Sequence, residues 1–214
     1  MQGFHHMFYR TLSCRTSSER RLNAKRTLLL WILIGVSIGT VCFCQWPGCI
    51  DHLWCSHGFY VQLGNVCTLW DLFVQAVFPT LLVLIGILLA AGSAMGQPWI
   101  LALLLSHGIA IGFSAAQCFT HYGFFHGLLL TGILILPHGF FTTLILVPAA
   151  RDAIRLSTKL SAYLLHHAPD PDISTQLRTL LLKGLAWATL IPVSGALHTA
   201  LTWLCADRFF VNLI

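Results

Sequence analysis

Three histidines, His107, His138 and His198, stand inside stretches of sequence that hold no Asp, Glu, Lys or Arg. Lipid offers an imidazole no hydrogen bond, so such a ring must find a partner within the protein, and intramembrane histidines are candidates for a proton or ion path. The plainer role is a neutral ring bonded to a backbone carbonyl or to Ser106, Ser194, Thr142 or Thr143. Pro137 directly precedes His138; it has no amide hydrogen and crowds the turn before it, which frees a carbonyl close by. A relay built here would run on histidines alone, with broken helices at Pro79, Pro137 and Pro192.

The eight cysteines form the second chemical set. Cys49, Cys55 and Cys67 share one polar segment, Cys42, Cys44, Cys118 and Cys205 stand at the ends of apolar stretches, and Cys14 is apart. Three readings stay open: disulfides in an oxidising compartment, a metal site with His52, His57, His121 and His126, or free apolar thiols. No CxxC pair with zinc spacing occurs. Walker loop, GxSxG, HExxH, paired intramembrane carboxylates and dinucleotide fingerprint are absent too. The sequence therefore points to no enzyme, no cofactor and no nucleic-acid partner.

The elements that must position these residues are membrane spans. Apolar residues make up 57% of the chain and charged residues 9%, too little polar surface to cover a soluble core of this size. Between Asp71 and Arg151 run 79 residues without a carboxylate, Lys or Arg. The stretch Gly127–Lys159 organises the rest: its apolar part, 127–150, matches the roughly 20 residues a helix needs to cross about 30 Å of hydrocarbon. Arg151, Arg155 and Lys159 follow at i, i+4, i+8, opposite Ala153, Leu156, Leu160 and Tyr163 or Leu164, which predicts an amphipathic helix on the membrane surface with its basic face outward.

The expected fold class is all-α: a polytopic helical bundle with spans near 27–44, 72–94, 99–118, 127–150 and 184–204. A basic tail over 1–26 precedes it, a Cys-containing loop covers 45–70, Gly96, Gln97 and Pro98 make a turn, 120–126 is a short loop, and 151–183 is cytoplasmic. Six Lys and Arg precede the first span and five separate the fourth from the fifth, leaving Arg208 alone elsewhere. Basic residues favour the cytoplasmic side, so the N-terminus is expected inside and the C-terminus outside a cell membrane. Small residues recur at four-residue spacing, Gly35 with Gly39, Gly92 with Gly96, Gly108 with Gly112 and Gly123 with Gly127. Such spacing lets backbones approach on one helix face, within this chain or against a second copy in a homo-oligomer.

The layout resembles the stage II sporulation protein M family. The resemblance rests on the basic tail leading to Gly35 and Gly39, on Gly108 and Gly112, on LPHG at 136–139, on ARDAIRLS at 150–157 and on SGALHTALT at 194–202. Where many members carry glutamates in the fourth and last spans, this chain has Thr142 and His198. The resemblance implies a non-enzymatic scaffold of the sporulation engulfment machinery. It also implies partners, stage II sporulation proteins D and P, held at the septal membrane of an endospore-forming bacterium. A transporter using the intramembrane histidines is the competing reading.

Overall fold

An apolar segment that cannot leave its amides unpaired in lipid becomes a helix, and among the described residues this happens five times. The computed structural model describes residues 2–45, 69–166 and 173–209, with side chains over 24–45, 69–120, 122–164 and 173–204. The helices are α1 (Gln2–Gln45), α2 (Leu69–Ala91), α3 (Gly96–Leu130), α4 (Leu136–His166) and α5 (Ile173–Phe209), with a π-helical turn at Thr131–Ile135 joining α3 to α4. Among the described residues, five helical stretches are long and apolar enough to cross a membrane: Ala24–Gln45, Leu69–Ala91, Gly96–Thr120, Tyr122–Leu164 and Ile173–Leu204. The protein is a multi-pass membrane protein built as a helical bundle. Most of the cysteine-bearing segment 45–70 lies outside the described residues.

α4 is the hub, packing against each of the other four helices. Its residues Ile145, Leu146, Ala149, Ala150, Ala153 and Leu156 join Leu28 and Ile32 of α1, Leu84 and Ile87 of α2, Ile100 and Leu104 of α3 and Ile191 of α5 in the main core. Smaller clusters occupy the other half, Leu130, Leu134 and Ile135 against Ala110 and Cys118, and Phe43 against Phe113 and Ala116.

Glycines set the α1–α3 contact. A Cβ on Gly35 would strike Leu105 O, and one on Gly108 would strike Ile32 O and stand 3.1 Å from Gly35 Cα. Gly39 meets Ile109 O and Gly112 meets Val36 O in the same way. Farther along, Phe43 meets Phe113 edge-on with centroids 5.9 Å apart. Residue numbers rise together along both helices, so α1 and α3 run parallel, as two odd-numbered spans must. Gly92 and Gly96 do not form such a pair. The chain turns at 92–95 rather than at 96–98, and α3 begins at Gly96. Pro98 then sits in the first helical turn, where no amide partner is needed. Gly92 is exposed in the turn, while a Cβ on Gly96 would strike Ala90 O.

Two further expectations are redrawn. The loop expected over 120–126 shrinks to one residue, Gly123, at φ 73° and ψ 178°, a left-handed conformation that glycine enters without steric cost. The chain folds back there, bringing Gly127 against Phe119. Pro137 does not break the fourth span either. The preceding turn widens, with the Leu136 amide donating to Thr131 O five residues back, and so accommodates a residue that cannot donate and would crowd the turn below. α2 and α5 run on through Pro79 and Pro192.

The basic stretch after Ala150 continues α4 without a break. Arg155 and Lys159 face outward as expected, but Ala153 and Leu156 are buried in the bundle core rather than laid on lipid. The reason is α5, which also runs on past the apolar region and supplies Leu180 to cover them.

Candidate functional site

His107, His138 and His198 come from α3, α4 and α5, and all three are buried. His138 is 2% exposed and Thr142, one turn along α4, is 0% exposed, so neither meets lipid or water. The Thr142 hydroxyl lies 2.9 Å from His138 O, to which it donates, and 3.3 Å from His107 Nε2. A hydroxyl that gives its hydrogen to a carbonyl accepts from the ring, an arrangement that a His107 tautomer protonated on Nε2 completes. His138 Nδ1 is 3.0 Å from Ser194 Oγ and 3.4 Å from Ser194 O. His198 Nδ1 lies 3.2 Å from Leu134 O; a carbonyl only accepts, which puts the His198 proton on Nδ1. The His138 and His198 rings lie 4.9 Å apart between centroids.

The helices explain this convergence. Ser194 and His198 are one turn apart on α5, as His138 and Thr142 are on α4, so each helix presents two polar groups on one face. Thr202 and Thr199 return their hydroxyls to His198 O and Gly195 O, which keeps that face of α5 internally bonded. The π turn contributes as well. His198 of α5, rather than His138, approaches a carbonyl in the turn before Pro137, that of Leu134 at 3.2 Å.

Of the other candidates, Gly35, Gly39, Gly108 and Gly112 meet at the α1–α3 contact, whereas the basic residues Arg151, Arg155 and Lys159 lie on α4. Among the described residues, Cys42, Cys44 and Cys118 form no disulfide with one another. No three His, Cys, Asp or Glu side chains among the described residues are grouped to hold one metal ion. Three features have no local signal in the sequence. Asp152 takes Arg151 at 2.8 Å and Lys183 of α5 at 3.1 Å, a tie across 31 positions. Gly184 and Gly195 receive Leu88 and Val77 of α2, which only the α2–α5 packing reveals.

No protein-family model matches this chain, and no curated protein or solved structure matches it either. Any functional reading therefore stands on the cluster itself. Chemically, three rings and two hydroxyls can pin three helices together, or pass a proton along a short polar chain.

Proposed function

We propose that the protein is a non-enzymatic scaffold in the cell membrane, its N-terminus cytoplasmic and its C-terminus outside. One observation carries this reading: each buried histidine turns one ring nitrogen on a neighbouring element, His107 on Thr142, His138 on Ser194 and His198 on Leu134 O. Each ring joins two helices, which suits a rigid platform for partner proteins. The resemblance to the stage II sporulation protein M family supplies the partners to test, stage II sporulation proteins D and P, and the setting, an endospore-forming bacterium.

Transport is the second reading, favoured by the same cluster because its polar groups are contiguous from α3 to α5. Substitution at His138 separates the two. Asn keeps a donor and an acceptor but does not titrate, so a scaffold tolerates His138→Asn and a proton carrier does not. We expect the His138→Asn protein to recover the same partners from sporulating cells as wild type. In liposomes carrying a pH-sensitive dye, neither protein should move protons. Proton flux in wild type that disappears in a folded His138→Asn protein would replace the scaffold by the transporter.

A further inference from the structure

Beyond Ala150, α4 and α5 continue side by side and leave a cleft of ≈ 250 Å³ between them. Its floor is Leu156 and Leu180, both buried in the core. Arg155 stands on the α4 wall, and Lys183, Thr179 and Gln176 stand on the α5 wall. Asp152 closes one end with both oxygens engaged, Oδ1 by Arg151 at 2.8 Å and Oδ2 by Lys183 at 3.1 Å. Arg151 and Lys183 thus satisfy the carboxylate between them, and Arg155 brings a further cation to the cleft lining. An ammonium has three hydrogens and Lys183 gives one to Asp152, so donors from both walls remain for an incoming anion.

The surroundings indicate the kind of anion. Lys183 is flanked on α5 by Leu181, Leu182 and Leu185, which are 53%, 61% and 69% exposed. Leucines this exposed on a membrane helix face acyl chains, which places the Lys183 ammonium at the hydrocarbon border where lipid phosphates lie. Arg155 adds a planar fork suited to two phosphate oxygens. We infer that the α4–α5 cleft binds the phosphodiester headgroup of an anionic phospholipid, with the acyl chains lying along the exposed leucines. The claim is more specific than attraction of a basic surface to a membrane. It assigns the ligand to Arg155 and Lys183, and not to Lys159, which is also exposed on α4 but outside the cleft.

The test uses the full chain, delipidated in neutral detergent and titrated with phosphatidylglycerol, phosphatidylcholine or soluble glycerol phosphate, with bound lipid counted by native mass spectrometry. Phosphatidylglycerol should bind in preference to phosphatidylcholine. Arg155→Gln should weaken it about fivefold, the factor that matches about 1 kcal/mol per basic residue at an anionic surface, and Arg155→Gln with Lys183→Gln more. Lys159→Gln should change it less than about twofold. Because Lys183→Gln also releases Asp152, the exposed Arg155 variant decides the matter should the double variant misfold. Equal losses in the Arg155 and Lys159 variants would show diffuse surface charge and overturn the site. Equal binding of glycerol phosphate would assign the cleft to a soluble phosphate compound and overturn the lipid, as would equal binding of phosphatidylcholine.

Discussion

At the scale of single residues, Thr142 has the most to lose. Its hydroxyl serves His138 O, Gly139 O and His107 Nε2 at once, and it is fully buried. Thr142→Val keeps the shape and removes those bonds, leaving the His107 ring without that acceptor, which should cost about 1–3 kcal/mol of stability. Thr142→Ser keeps the hydroxyl and should lose far less. Thermal unfolding in detergent compares the two, and a Thr142→Val protein as stable as wild type beside a destabilised Thr142→Ser protein would mean that the methyl group, not the hydrogen bonding, matters here. His138→Leu belongs to the same scale: Ser194 would lose its ring partner, and a similar cost of about 1–3 kcal/mol is expected, with His138→Asn closer to wild type.

Between elements, α1 holds to α3 through backbone approach, since lipid is as apolar as the leucines around it and gives helices no hydrophobic reason to associate. Replacing both Gly108 and Gly112 by Leu drives side chains into Ile32 O and Val36 O and should cost on the order of 1–3 kcal/mol. Gly92→Ala is the contrasting case. A Cβ there meets nothing closer than Leu89 O at 3.5 Å, so thermal stability should stay near wild type. A Gly92→Ala protein as unstable as the Gly108 and Gly112 double variant would show that spacing alone, and not backbone contact, marks the sensitive glycines.

For the whole molecule, alternation of the five helices is built into the packing. α1 and α3 run parallel, and α4 runs antiparallel to α5, pairing Asp152 with Lys183 at one end and Leu134 with His198 toward the other. That alternation gathers Lys25, Arg26, Arg151, Arg155, Lys159, Arg178 and Lys183 at one end of the bundle. An end so charged resists translocation and should stay cytoplasmic. A reporter that works only outside the cell should therefore be active when fused after Ile214 and silent when fused before Met1. Activity at Met1, or silence at Ile214, would reverse or break the proposed orientation.

Composition and periodicity already contain the helical class, the number of spans and the glycine faces of α1 and α3, though not that these faces meet, because the cost of unpaired amides in lipid and the close approach that paired glycines allow are local consequences of residue type. They also single out the three histidines and name Thr142 and Ser194 among their partners. Element ends were less legible. The turn at 92–95 and the single-residue reversal at Gly123 depend on how neighbouring helices meet: Ser157 Oγ clasps Ser93 O at 2.8 Å, and Gly127 packs on Phe119. Pro137 could be read as a break, and only the fold shows a widened turn presenting Leu134 O to His198 from 64 positions away. The basic helix after Ala150 likewise carries an apolar stripe that suits a membrane surface or a neighbouring helix equally well. Tertiary packing decided that question by bringing α5 alongside, which buried Ala153 and Leu156 and opened the cleft beside them.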